Sequence, residues 1–238
     1  MKRLLSSIGI GAATVDTVLP QAAVRPGETV ELTVEMRGGD SAQTIGGLYF
    51  TLKTEADGET WPVARFDFDG SFTIDPGEER TERVSIPIPL WTPVTRGGPR
   101  VWLETGLDID WAVDPSDSDD VAVEPDDFVA ALFEAADTLD FEFVSASLVE
   151  TPWLDDRPFA QALVFEPGSR FERDVSRLVL TTIPRGDDLR LYIEVQQRDA
   201  VAEAVGQDFN EQELSVTVAY ANPEMIGRRI TSTIEQFT

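Results

Sequence analysis

At 238 residues the chain is longer than one β-sandwich of about 100 residues and close to the length of two. Its 44 acidic against 19 basic side chains give a formal net charge of −25, which sets nucleic-acid binding aside, because no basic stretch is present to release counterions from phosphates. With neither His nor Cys, the chain cannot supply Ser-His-Asp or Cys-His nucleophiles, His general bases, His/Cys zinc sites or disulfides, and only carboxylate or oxygen-ligand chemistry survives.

The N-terminal Met1 to Ala13 is a poor signal peptide, since Ser and Gly break its apolar stretch. It reads either as an apolar tail tucked against the first domain or as a segment lying on a membrane through Leu4, Leu5 and Ile8. Short β-rich runs follow, punctuated about every 8 to 12 residues by Gly, Pro and Asp, the spacing of a sandwich. Thr14 to Leu19 reads as an opening strand. After the turn Arg25-Pro26-Gly27-Glu28, the run Thr29 to Met36 places Val30, Leu32, Val34 and Met36 on one face and Glu31, Thr33 and Glu35 on the other. Ile45 to Thr54 alternates likewise through Leu48, Phe50 and Leu52, and Trp61 to Phe72, Arg80 to Pro89 and Pro99 to Ile109 continue the pattern. The total is about seven strands before residue 125.

Val113 to Asp120 is acidic and turn-forming, and Glu124-Pro125 follows, so the domain boundary is expected there, between residues 1–125 and 126–238. Asp126 or Asp127 can cap a helix over Phe128 to Ala136, with Phe128, Leu132 and Phe133 spaced for one buried face. Beyond it the strands Phe141 to Glu150, Phe159 to Phe165, Phe171 to Ile183, Leu189 to Gln196 and Glu213 to Tyr220 are expected. Met225 to Phe237 has helical spacing at Ile226, Ile230 and Ile234 but a β-branched-rich composition, and both readings stay open. The fold class is therefore mostly β, two tandem β-sandwich domains with one short helix after the junction. Two of the strands, Thr14 to Leu19 and Leu189 to Gln196, are short, weakly charged in the middle and unguarded by proline, which marks them as candidate exposed edges.

Only Lys2 and Lys53 among the basic residues are lysines, so Arg with Asp and Glu dominates the surface in the manner of halophile proteins. In a salty cytoplasm, the expected location, roughly molar salt shortens the Debye length to about 3 Å and screens the self-repulsion. No run approaches the roughly 18 apolar residues of a membrane span.

Several segments together resemble the sporulation-control proteins of stage-zero type M, which have an arrestin-like pair of β-sandwiches. They are Leu4 to Asp16, Arg25 to Glu28, Ile88 to Thr95 and, most specifically, Thr105 to Asp120; Arg157-Pro158-Phe159-Ala160-Gln161, Phe165 to Pro167 and Ile193 to Arg198 are looser matches. The resemblance implies a cytoplasmic, non-enzymatic regulator or scaffold that binds protein partners and has no catalytic residues or bound cofactor.

Independently, six carboxylates fall within thirteen residues from Asp108 to Asp120. Asp108, Asp110, Asp114, Asp117 and Asp119 are the candidate ligands for Ca or Mg, because hard cations take their oxygens from carboxylates and carbonyls in a flexible loop. The spacing is not that of an EF-hand. The competing reading is a solvated acidic turn whose Asp side chains bond nearby backbone N–H groups. Of the tryptophans, Trp102 and Trp111 read as core, whereas Trp91 and Trp153 beside prolines are candidates for a surface aromatic row.

Overall fold

The computed structural model describes residues 12–109, 116–197 and 211–237. The chain divides into two compact units, one of residues 1–92 and 100–123, the other of residues 93–99 and 124–238. The short segment 93–99 therefore leaves the first unit in sequence but packs with the second.

Among the described residues unit 1 holds the seven strands β1 (Thr14–Val18), β2 (Thr29–Arg37), β3 (Gln43–Ala56), β4 (Glu59–Ile74), β5 (Glu79–Pro87), β6 (Arg100–Ile109) and β7 (Ser116–Asp120). They form two antiparallel sheets, ordered β1-β2-β5 and β4-β3-β6-β7. The alternation read from the sequence sets their inner faces: Val30, Leu32, Val34 and Met36 are buried from one sheet, Leu48, Phe50 and Leu52 from the other. Full burial of each such side chain contributes about 1.5–3 kcal/mol. Asp57-Gly58 joins β3 to β4 with both residues at positive φ, 54° and 84°, the two-residue turn whose twist matches the flanking strands.

The run Ser116 to Asp120, expected to be turn-forming linker, instead forms β7 and pairs antiparallel with β6, setting Thr105 opposite Asp117 and Leu103 opposite Asp119. The opposing β6 edge supplies backbone partners that outweigh the turn preference of Ser and Asp.

Unit 2 is built on one antiparallel sheet of five strands in the order β12-β11-β10-β9-β8: β8 (Phe141–Glu150), β9 (Phe159–Pro167), β10 (Val175–Arg185), β11 (Asp188–Gln197) and β12 (Glu211–Val218). Among the described residues its second layer is helical, supplied by α1 (Asp127–Thr138) and α2 (Pro223–Phe237). Thus the ambiguous C-terminal run is a helix, the second of the unit rather than a strand. Its Ile226, Ile230 and Ile234, spaced by one turn, are buried in a core shared with Leu132 of α1 and Leu189, Leu191, Ile193 and Val195 of β11. The expected cap is present, the Asp126 carboxylate accepting the Val129 N–H at 2.8 Å. α1 buries Val129, Ala131, Leu132, Ala135 and Ala136, while Phe128 and Phe133 are only partly covered.

β10 begins at Val175, later than the expected Phe171. Phe171 belongs to the preceding turn, where its N–H donates to the Gly168 carbonyl and its ring stacks on Phe141 at 5.4 Å.

Candidate functional site

The aspartates singled out in the sequence do not share one place. β6 alternates, so Asp108 is exposed on the outer face of the four-stranded sheet opposite Gly47, whereas Asp117 and Asp119 of β7 face the side that carries Thr105 and Leu103. Asp110 and Asp114 lie outside the described residues. Among the described residues no three carboxylates are grouped as ligands of one metal ion.

What does converge is a clasp between the two sheets of unit 1. Asp117 accepts the Thr17 N–H of β1 through Oδ2 at 3.0 Å, and beside it the Thr17 hydroxyl meets that of Thr105 at 2.8 Å in a buried contact. Partial burial, followed by the charge and hydrogen bond of Asp117 and the charges of Asp16 and Asp120, pushes the Asp119 carboxyl up to about 7. Its Oδ2 is buried without a hydrogen-bond partner. Asp16 belongs to a strand a hundred residues earlier, so only the fold reveals its part in the group.

The same contacts define the sheet edge. Among the described residues β1 pairs with β2 alone and is an edge strand, as expected. Since the Thr17 N–H points away from β2 to Asp117, that of Val15, two residues earlier, also points outward. The other candidate edge is not one: β11 lies between β10 and β12 along its length, and β12 forms the edge instead. The fully buried Leu191, Ile193 and Val195 explain why, because a strand with that much apolar side chain is covered best in the middle of a sheet.

In unit 2, two of the segments on which the resemblance rested meet. The buried Gln161 side chain accepts the Val94 N–H at 3.0 Å and donates to the Val94 carbonyl at 2.9 Å, pinning segment 93–99. Farther along that segment Gly97 accepts the Ala146 N–H of β8 at 2.8 Å. A Cβ on Gly98 would stand 2.1 Å from the Ala146 carbonyl oxygen, so only glycine permits this approach. Arg157 has a side chain only 9% exposed and an ion pair with Asp156 at 2.6 Å, which holds the Asp156 carboxyl below its ordinary range. Its Nη1 has no hydrogen-bond partner.

Sequence reading missed a cavity of about 620 Å³ where α1 meets β8, with Phe133 and Phe143 in its wall and Arg96 from the pinned segment beside them. Its residues come from four separated stretches, and only the alternation of acidic and aromatic residues in Phe141-Glu142-Phe143 hinted at it. Trp102 is buried as expected and Trp153 is 64% exposed, while Trp111 lies outside the described residues. No helix among the described residues is long and apolar enough to cross a membrane.

Comparison with known proteins agrees with the resemblance seen in the motifs. Residues 1–199 match the family described as SpoOM protein. The sporulation-control protein spo0M of Bacillus subtilis (strain 168) is 34% identical over 235 residues, covering 94% of this chain and 91% of the relative. The crystal structure of Spo0M from Bacillus subtilis matches with a TM-score of 0.83 at 30% identity, over 96% of this chain and 100% of that one. The mostly β, arrestin-like fold expected from the sequence is thus the fold of a solved relative.

Proposed function

The chain belongs to the SpoOM protein family, and from that premise we propose that it is a non-enzymatic, cytoplasmic regulatory scaffold that acts by binding protein partners. The relative's description as a sporulation-control protein supports a regulatory role. The observation that carries the binding mode is β1, a five-residue strand that among the described residues makes ladder hydrogen bonds to β2 alone, while β7 reaches its outer side only through the Asp117 side chain. Its outward N–H groups at Val15 and Thr17 are donors that a partner strand can take up by β-augmentation, Asp117 giving way at Thr17. The lack of His and Cys supports the non-enzymatic reading, since it removes the Cys nucleophile and the His general base that activates Ser or Cys.

Affinity capture from a native-like high-salt extract tests this reading, with wild type and Val15→Pro compared side by side. Proline there deletes an outward donor and no ladder hydrogen bond, so the variant folds and recovers the partner poorly. Equal recovery by both forms contradicts docking at β1.

A second reading, a divalent-cation site, rests on the orphaned Asp119 Oδ2 and the Asp117 carboxylate beside it. Calcium titration by calorimetry tests it, with saturable heat expected and its loss in Asp117→Asn. Heat no greater than dilution removes the reading.

A further inference from the structure

A sheet edge is a hazard as well as an interface, and folded proteins blunt such edges with charged side chains turned toward them. In unit 1 a side chain stands in that position. β7 pairs with β6, and its alternation leaves Asp117 and Asp119 half-buried while Ser116, Ser118 and Asp120 are exposed. From β7 the Asp117 carboxylate crosses to the other sheet and accepts the Thr17 N–H of β1 at 3.0 Å, between residues 100 apart in sequence. An ionised acceptor makes this a stronger bond than one between neutral groups.

The residue opposite Asp117 on β6 takes part as well. Thr105 meets the Thr17 hydroxyl at 2.8 Å in a buried contact, which holds Thr17 against the second sheet with its N–H in reach of the carboxylate. A strand arriving along β1 needs the same N–H. In an antiparallel ladder the N–H and C=O of one residue point to the same side, so Thr17 would give its proton to a carbonyl of the incoming strand. One N–H makes one well-aligned bond, and the carboxylate and the carbonyl compete for it.

We propose that Asp117 is an internal competitor for the β1 edge: its carboxylate occupies the place of a partner's carbonyl at Thr17, and a docking strand binds only by displacing it. The proposal rests on the reading of β1 as the docking edge and adds how that edge is held in check. A strand that offers backbone bonds alone is turned away, and one that makes further contacts prevails.

Two measurements on the full chain test this, in about 0.5 M salt to mute the diffuse attraction of an acidic surface. The first needs no partner. Amide exchange at Thr17, followed by NMR, should quicken about tenfold in Asp117→Ala, a half-exposed position whose truncation leaves the core intact. Asp120→Asn takes the same charge from an exposed position of the same strand and should leave Thr17 unchanged. The second uses a short capped peptide of alternating valine and threonine flanked by lysines, a sequence that favours an extended strand. Its affinity should rise about tenfold in Asp117→Ala, stay at the wild-type value in Asp120→Asn, and be lost when Val15→Pro is added to Asp117→Ala.

Unchanged Thr17 exchange in Asp117→Ala overturns the proposal, as does an equal response in Asp120→Asn. Peptide bound equally by wild type and Asp117→Ala, yet lost with Val15→Pro, removes the competitor and leaves docking at β1 standing. Binding by none of the forms, or binding that Val15→Pro does not touch, removes docking at β1 and the proposal with it.

Discussion

Asp119 keeps a proton that an exposed aspartate loses near pH 4, because its half-buried carboxyl shares a small space with Asp117 and Asp16. The folded value is raised above the unfolded one, so the stabilisation is complete below about 3.9 and is lost as pH rises through about 7. Denaturation midpoints in fixed high salt should fall between those limits, and Asp119→Asn, neutral throughout, should remove that part of the pH dependence. An unchanged profile in the variant would place the titration elsewhere. Gln161 offers a second test. Its truncation to Ala strands the Val94 N–H and carbonyl in a buried setting, an expected loss of about 1–3 kcal/mol measured by urea unfolding. The aspartates were visible in the sequence as a run, but proximity along a strand alternates faces. Asp108 was therefore separated from Asp117 and Asp119, and Asp16 was invisible as their neighbour until β1 and β7 were placed.

Strand by strand, the alternation of apolar and polar residues located the elements well, since a buried face demands that period. β8 was read with its observed ends, Phe141–Glu150, and β1 to β6 were read to within two residues at each end, whereas β7 was taken for linker. Periodicity says nothing about which neighbour a strand takes, and that is why β11 was taken for an edge. Placement in the middle has a consequence: Ile193→Pro removes a ladder donor between β10 and β12 and should unfold unit 2, while Val15→Pro on β1 leaves unit 1 folded. Circular dichroism melts of the two variants separate these outcomes, and two equally native melts would contradict the assigned strand order. Leu132 of α1 is fully buried beneath that sheet, so Leu132→Ala should cost about 2–5 kcal/mol. The helical layer of unit 2 was half legible: α1 announced itself through the Asp126 cap, whereas the β-branched residues of α2 obscured an isoleucine stripe that tertiary packing makes decisive.

With 44 acids and 19 bases, the chain as a whole repels itself, and screening is the physical remedy. The thermal midpoint should therefore rise as salt goes from dilute to about molar, and a constant midpoint would count against a protein adapted to salt. The same charge disfavours polyanionic partners. Membership of the family could be read from the motifs, because Val94 and Gln161, in two of the matching segments, meet and hold segment 93–99 in place. The partner could not, since an edge strand specifies hydrogen bonds without naming who makes them. The most direct measurement is amide hydrogen exchange on the chain alone and in the complex recovered by affinity capture in high salt. Slowed exchange at Val15 and Thr17 of β1 is predicted on complex formation; unchanged rates there, with protection appearing only elsewhere, would contradict docking at this edge.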